Sequence, residues 1–129
     1  MEKRIINPWQ WQDARNYVQA VEVKNVTSTL YCAGQASVLA DGTSSHADMK
    51  TQLLQAIENL ELVISQAGYT CKDIVRLNVY TTSSEELFAH FDIFQAWITK
   101  HGIQQASTFF EVKTLFETLS VELEATAVK

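Results

Sequence analysis

Ten residues near the C-terminus of this chain leave few choices of fold. Residues 119–128 read LSVELEATAV, with Leu119, Val121, Leu123, Ala125 and Ala127 alternating strictly with Ser120, Glu122, Glu124 and Thr126. Side chains on a strand point to opposite faces with a period of two, so this is a long strand with one buried and one polar face. Such a strand cannot bury its apolar side alone. It requires a sheet beside it and a second layer over it.

The covering layer is legible upstream. Between residues 46 and 67, Met49, Leu53, Ala56, Ile57, Leu60, Val63, Ile64 and Ala67 recur at three- and four-residue steps, which gathers them on one face of a helix. Ser44 and Ser45 are candidate caps at its start, and Gly68 stands where a helix C-terminus favours a left-handed residue. Ser83 followed by Glu86 has capping-box spacing. The helix expected after it buries Leu87, Phe88, Phe91, Phe94, Trp97 and Ile98 and stops at Gly102. Helical spacing assigns the aromatic stripe Phe88, Phe91 and Phe94 to the core.

The remaining strands are shorter. Residues 17–23 (YVQAVEV) and 27–32 (TSTLYC) are rich in β-branched and aromatic types and are expected to form a hairpin across Lys24-Asn25-Val26, with the first dozen residues irregular. Residues 73–80 (DIVRLNVY) place Val75, Leu77 and Val79 on one side and Arg76, Asn78 and Tyr80 on the other; residues 108–113 supply another strand. The order is ββαβαββ. The expectation is an α+β fold, a single domain over residues 1–129, with one mixed sheet and two helices packed on one of its faces. The other face, carrying Arg76, Asn78, Glu122 and Glu124, either meets water or meets further copies of the chain; periodicity does not choose. Across strands, Glu124 is expected to pair with Arg76.

Composition narrows the partners. Ten Lys and Arg against fifteen Asp and Glu leave a formal net charge of −5 with no basic run, so nucleic acid is not an expected partner. No apolar stretch approaches the roughly 20 residues of a membrane span, and the first residues lack the apolar core of a signal peptide, so a cytoplasmic protein is expected. Cys32 and Cys71 have no metal-ligand spacing, nor do His46, His90 and His101. The cysteines are expected to be small buried thiols, His101 to complement a helix C-terminus, and no metal or cofactor is expected.

Five segments in order resemble the reactive-intermediate-deaminase (Rid, YjgF-type) family. Tyr17-Val18-Gln19-Ala20-Val21 is similar to its opening Y-S/V-Q-A, and Ala33-Gly34-Gln35 to its S-G-Q. Residues 52–68, QLLQAIENLELVISQAG, resemble Q-x-x-Q-A-L-x-N-L-x-x-x-L-x-x-A-G. Asp73-Ile74-Val75-Arg76 resembles D-I/V-V-K, and Val121-Glu122-Leu123-Glu124-Ala125 resembles V-E-I-E-A. No single match is specific; their order and spacing together are. The resemblance implies a chorismate-mutase-like fold, a homotrimer with pockets between subunits, and hydrolysis of reactive imines and enamines to a keto acid and ammonia without a cofactor.

The same resemblance supplies the candidate site. Glu122 matches a glutamate that orients the attacking water, and is the catalytic candidate; Tyr17, Ala33, Gly34, Asp92, Ser107 and Phe109 fall at substrate-binding positions. Typical members clamp the substrate carboxylate with an arginine that begins the penultimate strand. Here Ser107 stands at that position, or Ala106 in a register one residue shifted, and no arginine follows Arg76. Ala33 replaces a serine, Asp92 an asparagine, and Phe109 a small residue. The implied function is therefore a small-metabolite pocket, either hydrolysing imines through water held by Glu122 or binding a ligand without turnover. Endoribonuclease action, a label that some members carry, is opposed by the net charge.

Overall fold

Strong alternation at the C-terminus becomes the strand that organises the rest. A computed structural model describes residues 1–129. Along the chain lie β1 (Glu2–Ile6), a 3-10 turn (Asp13–Arg15), β2 (Ala20–Lys24), β3 (Thr29–Tyr31) and β4 (Gln35–Ala36). Then follow α1 (Met49–Gln66), a 3-10 turn (Cys71–Asp73), β5 (Ile74–Thr81), α2 (Ser84–Phe88), α3 (Phe91–His101), β6 (Ala106–Glu111) and β7 (Val121–Val128). β7 runs antiparallel to β5 on one side and to β3 and β4 on the other. β6 pairs parallel to β5, reached through α2 and α3, and makes the sheet mixed.

Every apolar residue of the terminal alternation is buried: Leu119, Val121, Leu123, Ala125 and Ala127. The last four of them share one hydrophobic cluster with Leu77 and Val79 of β5, Leu53, Leu60 and Ile64 of α1, and Phe94, Trp97 and Ile98 of α3. The helices therefore cover one face of the sheet, as the period-two and period-3.6 patterns require. Burying a side chain such as Leu53, Leu60 or Leu123 stabilises the fold by about 1.5–3 kcal/mol relative to leaving it in water. No helix is long and apolar enough to cross a membrane. Cys32 and Cys71 are both buried free thiols.

Several local expectations are corrected. Residues 2–6 are a strand, not irregular: β1 pairs with β2, and Arg4 lies opposite Glu22 with a 3.1 Å ion pair. That two-stranded ribbon is separate from the five-stranded sheet, and β2 and β3 form no hairpin with each other. β3 instead pairs with β7, while Asn25 takes a left-handed φ of 56° between the two strands. In β5 the register shifts between Ile74 and Arg76, so Ile74 is fully buried and Val75 is not. A bulge of this kind inserts one residue and changes which side chains face inward.

Helix boundaries also move. The cap of α1 is Asp48, whose carboxylate accepts from Thr51 N–H at 2.9 Å; Ser44 and Ser45 make other bonds, to Glu117 and to Ala47 N–H. Ser83 caps α2 as its spacing implies, accepting from Glu86 N–H. The single helix expected up to Gly102 is broken at Ala89-His90 into α2 and α3. Gly68 and Gly102 close α1 and α3 with φ of 79° and 61°.

Candidate functional site

The break between α2 and α3 has a consequence at the edge of the sheet. There, side chains from α2, α3, β5 and β6 and the segment before β2 enclose a cavity of about 540 Å³. Half of the residues that line it are aromatic. Phe88 and Phe109 stack at 4.9 Å, with Phe91 edge-on to both. Only Phe94 of the expected core stripe is fully buried; Phe91 is half-buried and Phe88 is 56% exposed. The helix turns away after Phe88, so Phe94 keeps its expected place in the core while Phe88, expected beside it, lines a hollow instead.

Tyr17, Ser107 and Phe109 all reach this cavity, joined by Arg15, Val79, Gln95 and Thr108. Tyr17 lies before β2, beside the bridge between Val18 and Ala106 that lays this segment along β6. Its ring meets Trp11 edge-on at 6.3 Å, and its hydroxyl makes no hydrogen bond within the chain. The Ser107 hydroxyl donates to the Leu77 carbonyl, with no base beside it, so it has neither the freedom nor the partner of a nucleophile.

Glu122 lies on the other side of the sheet. In register it faces Tyr80, while Ser107 and Phe109 pair with Leu77 and Val79, whose side chains point into the core. Alternation thus puts Glu122 on the bare face and the cavity on the helix-covered side. β5 also separates β7 from β6, adding roughly 10 Å at ordinary strand spacing. The carboxylate of Glu122 is half-buried and accepts no hydrogen bond from its own chain. Burial first, and the negative charge of Glu124 second, raise its carboxyl above the ordinary glutamate value.

Gly34 explains how Glu122 is seated. A Cβ on Gly34 would fall 1.8 Å from Glu122 Oε1, so only a glycine lets the carboxylate lie across the chain there. Glu124, by contrast, has partners: Asn78 Nδ2 at 3.1 Å and the Tyr80 hydroxyl at 3.0 Å both donate to its Oε1. That bond to Glu124 is the main reason the Tyr80 phenol is raised. The expected pair with Arg76 does not form, because Arg76 lies opposite Thr126 and donates instead to Thr108 Oγ1.

The other two candidates are not brought to the cavity. Ala33 is exposed beside Gly34, and Asp92 is exposed in the first turn of α3, a favourable place for an acidic group at a helix N-terminus. Sequence reasoning also missed a cluster in which Glu61, Cys71 and His101 bring donor atoms within 4.8 Å of one another. Glu61 Oε1 already accepts from Trp97 Nε1 at 2.7 Å and lies 3.4 Å from His101 Nε2. Burial, with Glu61 and Asp73 nearby, pushes the Cys71 thiol up to about 11, so the sulfur is held protonated. No spacing rule could find this group, since its members come from α1, a 3-10 turn and α3.

A mixed sheet covered on one face, with an aromatic cavity at its edge and an unpaired glutamate on its bare face, defines a small α+β protein of the YjgF type. The chain belongs to the Rid/YjgF–RutC family: the family described as Endoribonuclease L-PSP matches residues 10–129. It is 28% identical over 114 residues to a 2-iminobutanoate/2-iminopropanoate deaminase of Escherichia coli K12, covering 88% of this chain and 87% of that one. To a RutC family protein of Haemophilus influenzae it is 30% identical over 115 residues, covering 88% and 86%. Among solved structures, the Rid-family protein YyfB of Yersinia pestis, of unknown function, superposes with a TM-score of 0.86 at 32% identity over 100% of both chains.

Proposed function

We propose that this chain, as one domain, hydrolyses imines or enamines of small metabolites in a homotrimer whose sites lie between subunits. The observation that carries the proposal is Glu122: a half-buried carboxylate, raised in pKa, seated against Gly34 and left without a partner while Glu124 beside it is satisfied twice over. A carboxylate in that condition is suited to take a proton from water. Water adds to the C=N carbon as Glu122 accepts its proton. Glu122 passes that proton to the nitrogen to give a carbinolamine, then moves the hydroxyl proton to the amine as the C–N bond breaks, and a keto compound and ammonia leave.

Two features support a site shared between copies. Within one chain Glu122 and the Tyr17–Ser107–Phe109 cavity occupy opposite sides of the sheet, so Glu122 of one copy serves the cavity of the next. The bare face also carries Tyr31, 80% exposed, the stacked pair Tyr80 and Phe110, and the Asn78 Oδ1 atom, buried without a hydrogen-bond partner. Exposed aromatics and an unsatisfied amide favour cover by further protein. In that assembly Tyr17 and the Gly34 backbone border the substrate, Ser107 and Phe109 shape its pocket, and Ala33 and Asp92 lie at the rim. RNA fits poorly, because a net charge of −5 offers no basic track.

The test is to generate imines with an amino-acid oxidase and follow their loss. Wild type is expected to accelerate hydrolysis over buffer, and Glu122→Ala to abolish the gain. No acceleration, with the two proteins equal, overturns the reading. A second reading, capture of a ligand without turnover, is favoured by Ser107 in place of the carboxylate-binding arginine; it predicts a stabilising ligand recovered unchanged.

A further inference from the structure

The edge cavity contains one charged residue among the ten that line it, and no sequence pattern singles it out: Arg15. The chain has three arginines. Arg4 is ion-paired with Glu22, and Arg76 donates to Thr108 Oγ1. Arg15 forms no ion pair and no hydrogen bond; its guanidinium lies over the Trp11 ring at 5.0 Å. Its backbone is held on both sides. Gln95 Nε2 donates to the Ala14 carbonyl at 3.1 Å, Gln105 Nε2 donates to the Asn16 carbonyl at 2.8 Å, and Asn16 Nδ2 donates to Thr99 Oγ1 at 3.3 Å. The 3-10 turn bearing Arg15 is thus fastened to α3 and to the start of β6, and Asn16 turns the chain with φ of 58° so that Tyr17 follows into the same cavity.

We infer that Arg15 is the anion-binding residue of this cavity, and that the ligand is a carboxylate bearing an aromatic or branched apolar body. The inference rests on the small-molecule role proposed for this site and names the class of molecule it takes. An unpaired guanidinium on an anchored turn offers a fork of N–H donors matched to a carboxylate, and stacking on an indole leaves those donors free. Ser107 supplies no charge on β6, so the handle comes from the 3-10 turn before β2 instead. Phe88, Phe91, Phe94, Phe109 and Val79 reward an apolar group, and the polar residues beside them, Tyr17, Gln95, Ser107 and Thr108, carry no second charge. A cavity of about 540 Å³ has room for a ring beyond the carboxylate.

Binding of 3-phenylpropanoate and of its uncharged amide, 3-phenylpropanamide, to the assembled protein by calorimetry tests this without requiring turnover. Wild type is expected to prefer the acid, and Arg15→Gln to weaken acid binding by about tenfold to a hundredfold while leaving the amide unchanged. Arg15→Lys, which keeps charge but not the fork, should fall between them. Unchanged melting temperatures show that these variants remain folded. Equal binding of acid and amide by wild type, equal acid binding by wild type and Arg15→Gln, or no binding of either compound overturns the assignment. Running the same titration on Glu122→Ala separates the two proposals: a retained preference for the acid supports Arg15 even where imine hydrolysis fails, and hydrolysis that is indifferent to Arg15→Gln overturns Arg15 while leaving Glu122 standing.

Discussion

The two faces of one sheet are built from the same strands and do opposite things. On the helix-covered face Leu77, Val121 and Leu123 are completely buried among apolar neighbours. One residue along each strand, Asn78, Glu122 and Glu124 stand on the bare face, half-buried, with charge and hydrogen-bonding capacity. The covered face contributes stability through area removed from water. The bare face tolerates a carboxylate with no partner of its own, a state that costs folding free energy and is kept where chemistry uses it. Apolar burial and an unpaired carboxylate are thus separated by a single step along the backbone.

The sharpest way to break that separation is to alter one face and measure both properties. Glu122→Ala is expected to lower imine turnover by about 10²–10⁴-fold, the usual range for a lost acid–base group, with little change in a urea unfolding midpoint. A large loss of stability would mean the bare face also holds the fold together. Leu123→Ala, one residue further, should cost about 2–5 kcal/mol in urea denaturation. A cost under about 1 kcal/mol would deny that β7 anchors the core.

Gly34→Ala asks whether the seat of Glu122 matters. The new Cβ must displace the carboxylate, whose end is flexible, so the melting temperature should hold while turnover drops by up to about 10²-fold. Retained turnover would break the link between Gly34 and the working position of Glu122.

The smallest effect concerns sign. Folding raises the Glu122 pKa above 4.5, so the stability associated with this group is full below that value and is lost as pH rises through the folded-state pKa. Glu122→Gln removes the loss. Its melting temperature should exceed wild type at neutral pH and match it at pH values below the ordinary carboxylate range. A lower melting temperature at neutral pH would show that the carboxylate has a stabilising partner.

Legibility in the sequence followed the length of each pattern. The alternation from Leu119 to Ala127 is long and strict, and all five of its apolar residues are buried. The α1 pattern runs five turns and places Leu53, Leu60 and Ile64 correctly in the core. Where the pattern was short, the backbone decided otherwise. One bulge moved Ile74 into the core in place of Val75, and one helix break turned Phe88 from core to cavity wall. β1 was missed because five residues around one ion pair carry almost no periodicity.

The candidate site was legible only in part. Tyr17, Ser107 and Phe109 do share a cavity, and Gly34 does adjoin Glu122, but these two groups stand apart within one chain. Arg15 had no signal at all: an arginine after an irregular stretch is indistinguishable from a solvated surface charge until α3 and β6 are packed against it. By itself the sequence determined the α+β class, the buried face of each long element and the acidity that disfavours RNA, since these depend on backbone periods and on charge. Tertiary structure alone decided which strand borders β6, where the aromatic stripe opens into a cavity, and that Arg15 and Phe109 line it together. Those are contacts between residues far apart in the chain, set by how whole elements pack, and no local pattern encodes them.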